Sequence, residues 1–184
     1  TISNAGYIKR TSVNEYKTQA RGGVGQKAST TRDQDFLEHL FVSSNHQYLL
    51  FFTQKGKCFW MRVYEIPEGS KTAKGRAVQN LINIEQDDKI KAFVSVQNLK
   101  DEEYINNNYL IMATKQGTVK KTLLKEYSRP RQNGINAITI KEGDELIEAK
   151  LTSGSSQLML AVKSGRAIRF GEDKVRAVGR NSQG

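Results

Sequence analysis

The stretch Tyr48-Leu-Leu-Phe-Phe-Thr-Gln-Lys-Gly-Lys57 decides how the rest of the chain is read. Leu49 to Phe52 is apolar at every position, the pattern of a strand covered on both faces. A polar pair and Gly56 follow, the signal of a tight hairpin. The return segment, Lys57 to Tyr64, carries Cys58, Phe59, Trp60 and Met61. Two later segments keep the same order: Tyr109-Leu-Ile-Met-Ala-Thr-Lys-Gln-Gly117-Thr118 and Leu158-Met-Leu-Ala-Val-Lys-Ser-Gly165-Arg166. The chain opens halfway through the pattern, at Asn4-Ala-Gly6-Tyr-Ile-Lys9-Arg10.

The four hairpin glycines are 50, 61 and 48 residues apart. Each has a second glycine behind it, Gly23, Gly75, Gly134 and Gly184, at offsets of 17, 19, 17 and 19. Four pairs in register indicate an internal repeat. A further strand is predicted after the second glycine, over Arg76–Ile84 and Ile135–Ile140. A last one is predicted over Lys89–Val96 and Glu145–Leu151, and Phe36–Phe41 matches its position in the first repeat. The asparagine-rich stretch 97–108 reads as an insertion, a loop in preference to a helical turn. The expectation is an all-β chain of four-stranded blades, about four repeats of roughly 50 residues, in one partial propeller-like domain over 1–184. The blade bounds are 1–47 (incomplete at its start), 48–108, 109–157 and 158–184 (incomplete at its end).

Composition narrows the partner. The chain has 184 residues, a net charge of +10 and 37% apolar residues, with a pI near 9.7 and a mean hydropathy of −0.60. No apolar run approaches a membrane span. The lone Cys58 excludes an internal disulfide framework and suits a reducing cytosol. The charge exceeds what solubility requires and points to a polyanion, with nucleic acid ahead of a membrane surface. Thr1 in place of Met, and Gly184 in mid-blade, suggest an excised piece of a longer protein.

The most unusual heptad is Gln19-Ala-Arg-Gly-Gly-Val-Gly25, flanked by Lys17 and Lys27. Bare backbone amides beside fixed positive charge suit a phosphate, although composition alone also fits a plain surface loop. Gly23-x-Gly25-x-x-Ala28 fits the dinucleotide fingerprint in form, but Ser29-Thr-Thr-Arg-Asp33 follows it without a helical stripe. Arginine beside glycine here suggests a grip on a phosphodiester backbone.

Bases share one phase in every repeat, around the hairpin and the strand after it. Acids such as Glu85, Asp87, Asp88, Asp101, Glu142 and Asp144 collect between. The candidate nucleic-acid-binding residues are Lys9, Arg10, Lys17, Gln19, Arg21, Gly22, Gly23, Gly25 and Lys27 in the first repeat. Arg62, Lys74 and Arg76 follow in the second, Lys120, Lys121, Arg129 and Arg131 in the third, and Arg166, Arg169 and Arg180 in the fourth. Tyr7, Tyr16, Tyr64 and Tyr127 are read as blade packing ahead of base stacking, and Trp60 as core between blades. Nothing suggests base readout, so binding is expected to be sequence-independent.

Together the repeat, its length and the heptad resemble the C-terminal domain of DNA gyrase A, along the whole chain. The resemblance implies a β-pinwheel whose blades exchange strands and whose rim wraps double-stranded DNA. Gln19, Arg21, Gly22, Gly23 and Gly25 match that family's signature box, Gln-Arg/Lys-Arg-Gly-Gly-Arg/Lys-Gly; Ala20 and Val24 depart from it, each losing a base. It further implies five or six blades in the whole domain, and a role in ATP-dependent negative supercoiling. The rest of gyrase A, together with gyrase B, would be the partners in an A2B2 cytoplasmic, nucleoid-associated enzyme. The cleaving tyrosine, the ATP site and magnesium would lie outside this region, with no cofactor here. The corresponding C-terminal domain of topoisomerase IV shares the blades but usually lacks the box. A propeller that binds a protein or an acidic ligand is the reading from another class. Catalysis has little support: His39 and His46 have no partners at metal spacing, and Cys58 lies among apolar residues.

Overall fold

A computed structural model describes residues 1–25, 28–31 and 34–184. Its strands are β1 (Ile2–Ser3), β2 (Tyr7–Ile8), β3 (Leu37–His39), β4 (Tyr48–Thr53), β5 (Lys57–Arg62), β6 (Arg76–Ala77) and β7 (Ile90–Val96). After the helix α1 (Glu102–Asn107) come β8 (Tyr109–Thr114), β9 (Val119–Leu123), β10 (Ile135–Asn136), β11 (Leu146–Thr152), β12 (Gln157–Ala161) and β13 (Ala167–Gly171). Among the described residues they form four antiparallel sheets, ordered β3-β1-β2-β6, β10-β5-β4-β7, β11-β8-β9 and β12-β13. Each sheet is built on one of the four hairpins, and each hairpin with its following segment makes up one unit.

The hairpins are alike because the sequence imposes one turn. Gly6, Gly56, Gly117 and Gly165 all have φ between +82° and +90°, a conformation that costs glycine nothing and other residues a Cβ clash. In each hairpin the glycine amide donates to the carbonyl three residues back, on Ser3, Thr53, Thr114 or Val162. The hydroxyls of Ser3, Thr53 and Thr114 also accept from the amide four residues on. An aspartate closes the other side. Asp35 accepts from Ala5 N, Asp88 from Lys55 N and Asp144 from Gln116 N, and each also caps the amide that follows it. Asp88 and Asp144, read from sequence only as acids between the basic stretches, thus hold turns, as does Asp35.

The apolar run Leu49–Phe52 is explained by its place between two units. Along β4, Leu49 and Phe51 point toward the first unit, into a cluster with Ile2, Ile8, Phe59 and Val63. Leu50 and Phe52 point the other way, into a cluster with Leu110, Met112, Tyr127 and Leu146 of the third. Side chains alternate across a strand, so a strand with a neighbour on each face must be apolar throughout. Burying each such Leu or Phe contributes about 1.5–3 kcal/mol. In the fourth unit β12 is covered less, and Met159 and Ile168 are 70% and 60% exposed.

In the second and third units the strand after the second glycine leaves its own unit. In β6, Ala77 and Arg76 pair with Tyr7 and Ile8 of the first unit. In β10, Ile135 and Asn136 pair with Cys58 and Lys57 of the second. The fourth unit reaches back likewise: Val178 N donates to Lys121 O at 2.9 Å, and Thr139 N donates to Ser182 O at 3.2 Å. Close approach requires the glycines. A Cβ on Gly134 would sit 2.7 Å from the Phe59 ring, and one on Gly75 would sit 2.5 Å from the carbonyl oxygen of Ile8.

Three sequence expectations are corrected. The strands predicted over 76–84 and 135–140 stop after two residues, because the chain turns once it has crossed to the neighbouring sheet. Val78 N then bonds Gly6 O, and Ala137 N bonds Gly56 O. The return strand after Gly56 ends at Arg62 in a 3-10 turn over Val63–Glu65. The insertion 97–108 is not all loop: Asp101 caps the Tyr104 amide and starts α1, whose Ile105 is buried. Cap and acidic first turn were both visible in Asp101-Glu-Glu103.

Candidate nucleic-acid interface

The heptad at 19–25 forms a turn that every unit repeats. Gly23 N donates to Ala20 O at 3.3 Å, Ala73 N to Ser70 O at 3.0 Å, Gly134 N to Arg131 O at 3.0 Å and Ser182 N to Gly179 O at 3.1 Å. Each turn starts fourteen residues after its hairpin glycine. The next position is Arg21, Lys71, Gln132 and Arg180, so three of the four turns carry a cation at one structural place. In the third unit the base is one residue earlier, at Arg131. Sequence reading singled out Arg21 and Arg180 but missed Lys71, whose signal was this constant offset.

In the first unit the turn stands in solvent. Gly22 has φ +80°, and Gln19 Nε2 donates to Val24 O at 2.5 Å, closing the heptad on itself. Gln19, Arg21, Gly22, Gly23, Gly25 and the neighbouring Lys17 are exposed. Lys27 lies outside the described residues. Lys74, Arg76, Arg129, Arg131, Arg166 and Arg169 are exposed, and Arg180 is half-buried. Among the described residues none of these cations forms an ion pair. Lys74 and Arg76 flank Gly75 on the exchanged segment, whereas Arg166 and Arg169 belong to the fourth hairpin and β13.

Three predicted contacts are removed by burial. Lys9 is 2% exposed, and its Nζ donates to Ala28 O, Ser70 O and Lys71 O at 3.3, 2.9 and 2.7 Å. Lys120 is 1% exposed, and its Nζ donates to Ala137 O at 2.6 Å and to Arg180 O. Lys121 is 7% exposed, pairs with the fully buried Glu172 at 3.1 Å and sits 4.3 Å from the Tyr109 ring centre. An ammonium buried against carbonyls or a buried carboxylate does not present itself to a phosphate at the surface. The warning was in the repeat itself, since Lys9 and Lys120 share their place after the hairpin glycine with Phe59 and Ile168. Two others are half-committed. Arg10 donates through Nε to Ile66 O at 2.9 Å and pairs with Glu68 at 3.2 Å. Arg62 donates to His46 O at 2.7 Å and lies 3.7 Å above the Tyr48 ring.

Charges elsewhere show that a shared phase along the sequence is not a shared position in space. At the second hairpin, Lys55 pairs with Glu85 and Asp87 at 2.9 and 2.6 Å, and Lys57 with Glu85 at 2.5 Å. The hydrogen bonds from Lys57 and Lys55 hold the Glu85 carboxyl down at about 2. At the third hairpin Lys115 meets Glu145 at 3.1 Å. These tips are locally compensated, and the surplus of positive charge lies on the turns, the exchanged segments and the fourth unit.

The aromatic residues mainly pack. Tyr127 is buried and its hydroxyl donates to Ala137 O at 2.9 Å. Trp60 packs at the second seam, as expected, while Tyr64 is 53% exposed. Burial pushes the Cys58 thiol well up. Among the described residues no three His, Cys, Asp or Glu side chains converge as metal ligands, and no helix is long and apolar enough to cross a membrane.

A family model described as DNA gyrase C-terminal domain, beta-propeller, matches residues 1–44, 47–97, 108–153 and 157–184. The DNA gyrase A chain of Salmonella typhimurium is 44% identical over 184 residues, and that of Clostridium acetobutylicum 40%. All of this chain is covered in both cases, but it spans only 20% and 22% of those relatives. Among solved structures, a DNA topoisomerase IV C-terminal domain superposes with TM-score 0.78 at 30% identity, covering all of this chain and 54% of that one. A DNA gyrase A C-terminal domain superposes with TM-score 0.76 at 24% identity, covering all of this chain and 57% of that one, and shares the fold. With its four glycine hairpins, its exchanged strands and a family match running nearly end to end, the chain belongs to the DNA gyrase C-terminal domain family of β-propellers.

Proposed function

We propose that this chain binds double-stranded DNA by its sugar–phosphate backbone and wraps it. Its task is that of the gyrase A C-terminal domain, in support of ATP-dependent negative supercoiling. The observation that carries the reading is the turn series: Arg21, Lys71, Arg131 and Arg180 recur on equivalent turns of successive units. Lys17, Lys74, Arg76, Arg129, Arg166 and Arg169 extend the positive surface.

Cations spaced along a curved stack suit a bent duplex. Bending 20–30 base pairs through 40–90° costs on the order of 1–6 kcal/mol. Neutralising phosphates releases counterions, and six to ten contacts change affinity by about 10³–10⁵ between 50 and 200 mM salt. That release offsets the elastic cost. The rest of gyrase A, together with gyrase B, supplies the proposed partners in a cytoplasmic A2B2 enzyme, with the cleaving tyrosine, ATP and magnesium on parts outside this chain.

Gel-shift titration at two salt concentrations tests binding. Closing nicked plasmid with ligase on the protein then tests wrapping. A shifted linking number is expected; unchanged topology with salt-independent binding overturns the reading. The matching heptad favours a gyrase-type over a topoisomerase IV-type domain.

A further inference from the structure

We propose that Lys9 and Lys120 are positioning residues for wrapping: each is a buried ammonium that pins the cation-bearing turn of the next unit and so fixes the angle between successive units. The inference rests on the wrapping reading above.

The two sites are built alike. Each lysine stands three residues after a hairpin glycine, Lys9 just past β2 and Lys120 within β9. Each reaches a carbonyl of its own unit's outgoing segment, Ala28 O for Lys9 and Ala137 O for Lys120. Each also reaches the turn of the following unit, Ser70 O and Lys71 O in one case and Arg180 O in the other. The carbonyls gripped on those turns include those of Lys71 and Arg180, the cations of the turn series. The backbone that presents each cation is thus tied to the preceding sheet through the lysine.

The middle junction is made differently. There Phe59 holds the corresponding place and the Gly134 turn packs on its ring. An apolar contact is non-directional, whereas an ammonium with two or three carbonyls has defined geometry. The junctions therefore alternate, with a polar clasp, an apolar seat and a second polar clasp. Burying an unpaired ammonium is costly, so a charged lysine is buried at this apolar position only while the next unit's turn is seated. Seating of the turn and burial of the lysine are one event.

The test uses the full-length protein that carries this chain, with Lys9→Met and Lys120→Met. Methionine keeps much of the length and the apolar stem of lysine and removes the donors. Three readouts are compared: linking change at saturating protein, affinity for a duplex too short to reach a second unit, and amide exchange in the turns. Exchange should accelerate about three- to tenfold at 179–182 in K120M and at 70–73 in K9M. Linking change per bound protein should fall by about half or more, while affinity for the short duplex stays within about twofold. A general loss of folding would lower both DNA readouts together and overturn the separation of wrapping from binding. Unchanged linking in both variants, with wild-type wrapping intact, overturns the clasp alone. A wild-type protein that leaves the linking number unchanged overturns the wrapping reading and the clasp's part in it. If K120M fails to fold, K9M decides at the other junction.

Discussion

The indole Nε1 of Trp60 donates to the carbonyl oxygen of Tyr127 at 2.9 Å, joining the return strand of the second unit to the segment that leaves the third. Beside it Phe59 presses on Gly134, and Ile135 pairs with Cys58. These two sheets are therefore held by side-chain packing, a directed hydrogen bond and an exchanged strand at once. The seam fixes how the third sheet sits on the second, and the proposed wrapping would depend on it.

Gly134→Ala should destabilise the chain by about 1–3 kcal/mol, the scale of overpacking. The new methyl meets the Phe59 ring, and φ at this position is +69°. Urea denaturation gives the value, and Phe59→Leu in the same background should recover part of it.

Arg21→Ala should reduce the salt slope of DNA binding by about one contact and leave the melting temperature unchanged. Its side chain is exposed and forms no ion pair among the described residues. Binding isotherms at several salt concentrations read the slope, and an unchanged slope takes Arg21 out of the interface.

Lys121→Ala should have the opposite signature. It leaves Glu172, which is fully buried, without its ammonium, and losing one partner of a buried pair costs about 3–5 kcal/mol. The melting temperature should fall steeply, while the salt slope measured on the folded fraction is unchanged.

Glu85→Gln should strengthen DNA binding about two- to fivefold at low salt, the modest gain expected from relieving exposed charge pairs. It frees Lys57 from its carboxylate and leaves Lys55 paired with Asp87 alone. The gain should vanish at high salt, where exposed charges are screened.

Alkaline pH should stabilise the fold through Lys120. Burial, then the neighbouring Arg180, lowers its ammonium from the ordinary 10.5 to about 8. Between these values the unfolded chain holds the proton and the folded chain does not, so this residue's contribution to stability rises with pH from about 8 to about 10.5. Urea midpoints of wild type and K120M across that range check the sign: the wild-type curve should climb relative to the variant.

Much of the candidate site was legible, and the rest was misread for one reason. Arg21, Arg76 and Arg169 were named from composition and phase, and the structure leaves them exposed. Lys9, Lys120 and Lys121 were named on the same grounds and are buried. A lysine looks the same in sequence whether it meets solvent or three carbonyls. For Lys9, two of those carbonyls lie 61 and 62 positions away, and no local pattern connects them to it. The aspartate clamps escaped likewise, Asp88 and Asp144 read as plain acids and Asp35 unread, since they serve hairpin amides 33, 28 and 30 residues upstream.

Local rules were enough to determine the hairpins, the repeat and the all-β class, because a glycine turn and strand periodicity act over a few residues. The continuous apolar run in β4 also implied cover on both faces. Which unit receives each outgoing strand, which cations are used up in seams, and where the surplus charge lies were decided only when the units packed together. Those outcomes depend on polar and charged groups finding partners across seams, and a partner's distance in space is not written in its distance along the chain.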